Sequence, residues 1–413
     1  MTQTGYAFYV GVDWASTVHQ VALLDGDRQL RAERAVAHTG SALGEFADWL
    51  TELAGGQPER IAVAIEVPRG AVVETLLERG FHVFAINPKQ LDRFRDRHSA
   101  AGAKDDRRDA FVLANSLGTD QPAFRRVRLD HPLVVQLREL SRVEEDLQGE
   151  SNRLANRLRE QLQRFYPQVL ALSPAVDEPW IWALLEVAPT PAVAQRLKRA
   201  TIAAVLRRRR IRRVTAADVL THLQTPPLHV APGTVEAASE HIALLLPRLQ
   251  LLHEQRRHCA ERIERLLETL SAEGEQQEHR DVRILRSLPG VGRIVTATML
   301  AEASQALAER DYHALRTHGG AAPVTRQSGK RLAVTMRYAC NQRLRQALYH
   351  WGRVSVQRDP HSRRHYDDLR RRGHGHARAI RSVVDRLLAV LIAMLRGGTT
   401  YDAGKRRAAL TTA

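Results

Sequence analysis

Short apolar runs separated by turn residues divide the first ninety residues into alternating strands and helices. Runs rich in β-branched and aromatic residues predict strands, and apolar residues three and four apart predict helices. The predicted strands cover residues 7–12, 18–24, 30–37, 61–65 and 81–86. Helices are predicted from Thr39 or Ser41 to Leu53 and over residues 71–78, and each is followed by glycine. The order is three strands, then helix, strand, helix, strand and a further helix.

Beyond residue 130 the pattern changes to long amphipathic helices. Two heptad seams carry apolar residues with few polar interruptions. The first comprises Leu133, Leu137, Leu140, Leu147, Leu154 and Leu158, with polar Glu144 and Ser151. The second comprises Ile242, Leu245, Leu249, Leu252, Cys259, Ile263, Leu266 and Leu270, with polar Arg256. Two helices of similar length predict a long antiparallel coiled-coil region, or a pair that dimerises.

The segment between the two seams, residues 172–233, is a basic insert. It is rich in proline and contains six arginines within seven residues, Arg207, Arg208, Arg209, Arg210, Arg212 and Arg213. Such a run is typical of a small helical cap that contacts backbone phosphate, and also of a solvated basic helix. The sequence leaves both interpretations open.

The C-terminal part is mainly α-helical and contains two features that suggest nucleic-acid chemistry. The turn LPGVG resembles a helix-hairpin-helix, in which Gly290, Gly292 and Arg293 would hold a phosphate at a helix start, or would only pack two helices. Farther on, Ser328 lies in a glycine loop. It is a candidate nucleophile towards phosphorus because cations surround it, or it is an ordinary polar turn residue. These cations are Arg326, Lys330 and Arg331.

The helix after this loop adds more candidates for phosphate binding. Asn341 is placed to cap it, and Arg343 and Arg345 lie near its start. The last helix, residues 376–396, has apolar residues three and four positions apart, which predicts that one face of it packs in a core.

Composition narrows the class of protein. The 413 residues predict two or three domains, which we place at 1–125, 126–275 and 276–413. The net charge of +16 indicates a polyanionic partner, nucleic acid before an anionic membrane surface. No apolar run reaches membrane-spanning length, and the N-terminus lacks a signal peptide. With only two cysteines, a reducing cytoplasmic location is expected.

Acidic residues follow two of the predicted strands and begin the helix after them. Asp13 ends the first strand, Glu66 ends the fourth, and Asp106 and Asp109 share a helix face. Asp105 and Asp109 would share a face as well, so spacing alone does not decide which two of the three aspartates bind the metal. Acids at these positions are the arrangement of a ribonuclease H-like α/β domain, where carboxylates bind Mg²⁺ or Mn²⁺ for phosphoryl transfer.

In this order the motifs resemble those of the DEDD transposases of insertion sequences, a family that includes pilin-inversion and bridge-RNA-guided recombinases. The motifs are GVDWA, IEVPRG, NPKQLDRFR, AKDDRRDA, LPGVG, Pro-x(4)-SGK and CNQRLRQAL. The resemblance implies a RuvC-like N-terminal domain, a coiled-coil linker and a C-terminal domain with a catalytic serine. It assigns the acids to Asp13, Glu66, Asp106 and Asp109 and the nucleophile to Ser328. Cys340 stands where the family usually has glycine.

The family pattern around the acidic helix is lysine, a small polar residue, aspartate, two residues, then aspartate and alanine. It places Lys104 and Arg107 beside the phosphate and Asp105 at the small polar position. The resemblance further implies strand exchange between donor and target DNA, a noncoding guide RNA, and a homo-oligomer in a bacterial cytoplasm. A composite site formed by two protomers would be compatible with the distance along the chain between Ser328 and the acids. A hydrolytic junction-resolving nuclease and a non-enzymatic nucleic-acid scaffold are the alternatives.

Overall fold

The N-terminal apolar runs form one mixed sheet of six strands. The computed structural model describes residues 5–97, 105–272, 277–328 and 331–404, and the chain forms two compact units, Met1–His131 and Pro132–Ala413. The strands of the first unit are β1 (Phe8–Asp13), β2 (Val18–Asp25), β3 (Leu30–Ala37), β4 (Ile61–Ile65), β5 (His82–Ala85) and β6 (Arg125–Arg126). Their order is β3-β2-β1-β4-β5-β6, with β1, β4 and β5 parallel and the other pairs antiparallel. The five predicted strands are confirmed; β6 is too short to have a detectable period.

Helices cover both faces of this sheet. They are α1 (Gly40–Leu53), α2 (Ala71–Glu78), α3 (Pro88–Asp96) and α4 (Asp106–Thr119). Thr39 caps α1 as predicted, because its side chain accepts a hydrogen bond from the Ala42 amide. Residues of α1 and α2 pack on one face, and residues of α3 and α4 on the other. Strands β1 and β4 are therefore buried on both sides, which explains their continuous apolar runs.

Helix α4 lies unusually close to strand β1. A Cβ atom on Gly11 would lie 1.9 Å from the Ala110 carbonyl oxygen and 2.7 Å from the Ala114 amide nitrogen. Both are backbone atoms, so no side-chain rearrangement would make room. Glycine at this position allows α4 to lie directly on the strand, and this packing fixes the height of Asp109 above the sheet.

Gly11→Ala is therefore expected to lower the stability of the N-terminal unit by about 3 kcal/mol or more, since α4 would have to move away from β1. Gly44→Ala in α1 is the matched control, because a Cβ there meets no atom within 4 Å. The control should stabilise the protein by about 0.5–1 kcal/mol through helix propensity. Scanning calorimetry of both variants measures the difference. Equal unfolding temperatures would contradict the packing described.

The second unit is mainly α-helical. Its first part contains α5 (Pro132–Phe165), α6 (Gln168–Leu172), α7 (Pro179–Val187), α8 (Pro191–Gln195), α9 (Arg199–Arg208), α10 (Ala216–Leu223) and α11 (Thr234–Ala272). Its second part contains α12 (Gln277–Ser287), α13 (Arg293–Glu302), α14 (Ser304–Ala308), α15 (Tyr312–His318), β7 (Val324–Ser328), β8 (Arg331–Thr335), α16 (Gln342–Arg358), α17 (Pro360–Arg371) and α18 (His376–Gly397). Within the described ranges, no helix is long and apolar enough to cross a membrane.

The long helices α5 and α11 pack against each other in opposite directions. Cys259 donates to the Leu140 carbonyl oxygen at 3.3 Å, and Arg256 binds Glu144 at 3.0 Å. Two of the polar residues that interrupt the heptad seams, Glu144 and Arg256, thus face each other. The first part of α5 packs in the core of the C-terminal helices, and its last part packs with the insert. The pair therefore links two hydrophobic cores; its assignment as a coiled coil, like the three domain boundaries, stays a prediction.

Candidate functional site

Two of the predicted acids lie at the same edge of the sheet. Strands β1 and β4 are parallel, and Val12 is paired with Ile65. Asp13 is the last residue of β1 and Glu66 is the first residue after β4, so both residues lie at the carboxyl edge of neighbouring strands. Both residues are half-buried. The tertiary structure thus brings together acids that are 53 positions apart in the chain.

Asp109 is the deepest of the acids. It lies in the first turn of α4, next to the Ala110 that packs on Gly11, and its side chain is 2% exposed. Its two oxygens accept hydrogen bonds from Arg95 of α3, Nε to Oδ1 at 2.6 Å and Nη2 to Oδ2 at 3.0 Å. A buried carboxylate is costly unless it is paired, and this bidentate interaction supplies the pairing.

Arg95 is surrounded by acids. It also binds Asp92, one turn earlier in α3. Burial alone would lower the pKa of Arg95, but its hydrogen bond to Asp109 and the charges of Asp109, Asp92 and Glu66 raise that pKa above its ordinary value. The guanidinium therefore stays charged, and it stands as a cation among the carboxylates at this edge of the sheet.

Sequence reasoning missed Arg95. The residue ends the segment NPKQLDRFR, but that segment also contains Arg93, and Arg97 follows it. Only the rotation of α3 decides which arginine meets Asp109. A buried aspartate needs a cation beside it, so an arginine partner could have been expected if the burial of Asp109 were known. The sequence does not reveal that Asp109 is buried.

The acids Asp105 and Asp106 have different surroundings from Asp109. Asp105 is the N-cap of α4, and its side chain accepts the Arg107 amide at 3.2 Å. Asp106 begins the helix and is exposed, as is Arg107. Asp105 thus has a capping role that the sequence did not single out, and the family pattern's choice of Asp106 and Asp109 stays a prediction. Lys104 lies outside the described residues.

The carboxylates at this edge of the sheet are suitable ligands for a hard divalent cation, provided that Arg95 moves away from Asp109. Mg²⁺ and Mn²⁺ prefer carboxylate oxygens, and Asp13, Glu66 and Asp109 offer them at one edge of the sheet. In the described residues no three acidic, histidine or cysteine side chains are close enough together to bind one ion. Arg95 holds both oxygens of Asp109 and so takes the place of a metal's charge. Metal binding through Asp109 would require Arg95 to release it.

The structure places Ser328 in a strand instead of the expected glycine loop. Ser328 is the last residue of β7, and its register partner is Arg331, the first residue of β8. The antiparallel pairing of β7 with β8 holds this segment extended, although a glycine follows it. Lys330 lies outside the described residues, as do the side chains of Arg326, Ser328 and Arg331.

Asn341 caps α16, as its sequence position predicts. Its Oδ1 accepts the Leu344 amide at 3.0 Å, and its Nδ2 donates to Glu302 at 2.7 Å. Glu302 also binds Arg142 of α5 at 3.1 Å. Burial alone would raise the pKa of Glu302, but the hydrogen bonds from Asn341 and Arg142 lower it below its ordinary value. Both ends of the Asn341 amide are thus engaged within the protein, and its binding to nucleic acid stays a prediction.

The two arginines near the start of α16 differ in their partners. Arg343 is paired with Glu145 of α5 at 2.9 Å. Arg345 instead has a side-chain nitrogen, Nη1, that is buried and has no hydrogen-bond partner among the described residues. Cys340, just before this helix, is not among the described residues with a left-handed backbone. Its backbone conformation therefore does not require glycine.

The glycines of the LPGVG turn have separate roles. Gly290 has φ +82°, and a Cβ there would lie 2.9 Å from the Ser355 amide of α16. The preceding carbonyl, of Pro289, accepts hydrogen bonds from Trp351 and Ser355. Gly290 thus packs the turn against α16. Gly292 precedes α13 with open space beside it, and Arg293 is exposed, so these two residues remain the candidates for phosphate binding.

The six arginines of the insert lie at the end of α9 and in the segment after it, and all are exposed. Arg213 binds Glu178, while the other five have no carboxylate partner in the described part of the chain. Arg210 adopts φ +55°, a conformation that favours glycine. Together with Glu178, Trp180 and Ile211, Arg209 and Arg213 line a cavity of about 440 Å³. Phosphate binding by this segment stays a prediction, as does the alternative of a solvated basic helix.

Two family profiles match the chain. One, described as a transposase of the DEDD and IS110 type, matches residues 10–167, and the other, the transposase IS116/IS110/IS902 family, matches residues 282–367. The Mini-circle protein for IS117 of Streptomyces coelicolor is 30% identical over 97% of both chains. A protein of insertion element IS900 of Mycobacterium paratuberculosis is 29% identical over 97% of this chain and 98% of its own. The proposed transposase y4uE of Sinorhizobium fredii is 53% identical over half of this chain, a match that spans 58% of the relative.

Proposed function

Because the chain belongs to the IS110 family of insertion-sequence transposases, we propose that it cleaves and rejoins DNA strands with a divalent metal and a serine nucleophile. The N-terminal unit supplies the carboxylates, and Ser328 supplies the attacking hydroxyl. A noncoding RNA of the element pairs with donor and target DNA, so base pairing selects the sequence. The protein acts as a homo-oligomer.

One observation carries the metal part of this proposal: Asp13 and Glu66 lie at the ends of adjacent parallel strands, beneath the helix that bears Asp109. The strand order β3-β2-β1-β4-β5 with acids on β1, after β4 and on the last helix supports a ribonuclease H-like, RuvC-like domain. Asp13, Glu66, Asp106 and Asp109 would hold Mg²⁺ or Mn²⁺. When bound, such ions offset the negative charge of a phosphoryl group in transfer.

The serine step conserves the phosphodiester bond. The Ser328 Oγ attacks phosphorus, its proton is removed, and a P–Oγ bond forms as the bond to one DNA oxygen breaks and that oxygen takes up a proton. A hydroxyl of the second DNA then attacks the same phosphorus and loses its proton, while the P–Oγ bond breaks and the Ser328 oxygen takes up a proton. Cations around the hairpin, Arg326, Lys330 and Arg331, would offset the charge that develops on the phosphate oxygens.

Nucleic-acid binding has several supports beyond family membership. The net charge of +16 indicates a polyanionic partner, and the insert arginines offer exposed charges of which five have no acidic partner in the described part of the chain. We assign phosphate binding to Lys104, Arg107, Gly292, Arg293, Arg326, Lys330 and Arg331 and to the insert. The long antiparallel helices α5 and α11 are the proposed route of oligomerisation.

The proposal is tested by DNA strand transfer in the presence and absence of metal. Nucleic acid that copurifies with the protein is sequenced first, to identify the element ends and the guide RNA. Chelation should then abolish transfer, and Asp13→Asn and Glu66→Gln should each lower its rate about 10³-fold, because each removes charge from the site. Asp48→Asn, on the exposed face of α1, is the control. Transfer at the normal rate in either acid variant would contradict the assignment.

A further inference from the structure

Three arginines come together at the base of the β7–β8 hairpin, away from the LPGVG turn and the insert. Arg345 lies in the first turn of α16, and Arg378 and Arg381 lie one turn apart on α18. The two helices pack closely, because a Cβ on Gly352 of α16 would lie 2.7 Å from the Val384 side chain of α18. The aliphatic part of Arg345 passes over Gly320, where a Cβ would lie 3.3 Å from its Cδ. Packing therefore fixes the two helices relative to each other and holds the aliphatic part of Arg345 in place.

Two of these guanidinium groups, those of Arg345 and Arg381, have missing or weak hydrogen-bond partners among the described residues. Arg345 Nη1 is buried without a partner among the described residues, although a guanidinium carries five N–H donors. Arg381 Nη1 donates to the Met336 sulfur at 3.2 Å, and a thioether is a weak acceptor. A buried donor without an acceptor is costly and requires an explanation. The described residues provide no carboxylate for either guanidinium.

The charged side chains grouped here, Arg345, Arg378 and Arg381, are all positive. Burial and the positive charges of Arg378 and Arg345 lower the pKa of Arg381 below its ordinary value, while Tyr338 has the opposite effect. Arg381 is thus close enough to both Arg378 and Arg345 for their positive charges to act on it. The acid one turn farther along α18, Asp385, is bound by Arg316 through two hydrogen bonds of 2.7 and 2.6 Å. An external anion would relieve both the repulsion and the missing hydrogen bonds.

We propose that Arg345 and Arg381, with Arg378 at the rim, form a binding site for a nucleic-acid phosphate. Guanidinium groups match phosphate oxygens with two parallel hydrogen bonds, which a compact cation cannot do. The site rests on the proposed function only in that nucleic acid is the substrate. DNA and RNA offer the same phosphodiester chemistry, and binding measured with each of them separates the two.

Because of its location, this site would position a nucleic-acid strand beside the β7–β8 hairpin. Met336 directly follows β8, and Val324 pairs with Thr335 at the same end of the hairpin. Ser328 is at the other end of β7, about 13 Å away at the usual rise of a strand. A phosphate held by the arginines would therefore anchor a nucleic-acid strand alongside the hairpin that carries the proposed nucleophile.

The test measures binding of the full-length protein in EDTA, so that it does not depend on metal. Fluorescence anisotropy is recorded over a salt series with a duplex DNA and with a hairpin RNA of equal length. The variant Arg345→Met with Arg381→Met should bind about 10-fold more weakly. Its slope of log K against log salt should fall by about 0.9 for each duplex phosphate that the variant no longer binds. An effect on the DNA alone, the RNA alone, or both identifies which strand occupies the site.

The matched control removes two charges that already have partners. Arg363 and Arg371 of α17 bind Asp367 and Asp368, so Arg363→Gln with Arg371→Gln should leave the salt slope unchanged. The site is overturned if the two double variants show the same change, or if Arg345→Met with Arg381→Met binds like the wild type. Wild-type protein that binds neither probe would refute the proposed function itself.

Thermal unfolding provides a second measurement. Without nucleic acid, the double methionine variant should unfold at the wild-type temperature or above, because it loses like-charge repulsion and an unpaired buried donor. Adding the bound probe should raise the unfolding temperature of the wild type more than that of the variant. A variant that unfolds at a lower temperature would show that these arginines stabilise the fold through partners of their own, which contradicts the site.

Discussion

Ser328→Ala is expected to abolish the covalent protein–DNA adduct and to lower strand transfer by about 10⁴-fold or more, since it removes the attacking oxygen. The adduct is trapped by denaturation during the reaction and is detected as labelled DNA that migrates with the protein on a denaturing gel. Ser328 ends β7, so a substitution by alanine leaves the pairing of the hairpin backbone intact. The loss should therefore appear in the chemical step, with DNA binding unchanged.

Gln327→Ala is the matched control for this experiment. Gln327 is the exposed neighbour of Ser328 on the same strand, and successive residues of a strand lie on opposite faces. The control should form the adduct at the wild-type rate. If Ser328→Ala still rejoins DNA normally, the serine is not the nucleophile. If the wild type instead releases free, unlinked ends, the acids activate water and the chain is a hydrolytic nuclease.

Arg95→Ala should destabilise the metal-free protein by about 3 kcal/mol, because it leaves the carboxylate of Asp109 buried without its cation. Mg²⁺ or Mn²⁺ should restore more stability to this variant than it adds to the wild type. In the wild type the metal must displace Arg95 from Asp109, whereas in the variant both oxygens are available. A metal concentration of 100 times the dissociation constant would return about 2.7 kcal/mol. Calorimetry with and without EDTA measures both effects.

A neighbouring ion pair serves as the control for Arg95. Arg97 binds Asp120 at 2.8 Å, but the two side chains are 56% and 42% exposed. Arg97→Ala should therefore cost less than about 1 kcal/mol and leave the response to metal unchanged. Asp109→Asn should remove the metal response in either background. If the metal does not restore the stability of Arg95→Ala, then Arg95 only neutralises Asp109, and the metal ion does not compete with Arg95 for this carboxylate.

Local patterns predicted the elements of the N-terminal unit well. Continuous β-branched runs specify strands that are buried on both faces, and glycines end the helices between them. Family motifs then assigned roles to Asp13, Glu66, Asp109 and Ser328 without any knowledge of their positions in space. The heptad seams predicted both α5 and α11, because a helix buries residues at a period that the sequence displays directly.

Other features depend on interactions between segments that are distant in sequence. The sequence showed polar interruptions at Glu144 and Arg256, but not that they bind each other across two antiparallel helices. It showed the glycine of the LPGVG turn, but not that Gly290 packs against α16. The strand that contains Ser328 was interpreted as a loop, since the glycine that follows is a local signal and the pairing of β7 with β8 is not.

The sequence by itself therefore determined the family and most of the elements, and it predicted the acids and the serine on which the proposed chemistry depends, because local periodicity and short motifs encode them. Only the tertiary structure decided which cation meets Asp109 and which arginines have no acidic partner among the described residues. Arg95, Arg345 and Arg381 are three of 62 basic residues. What distinguishes them is burial and whether an acid lies nearby. Both depend on how helices pack, which the composition of a single segment does not encode.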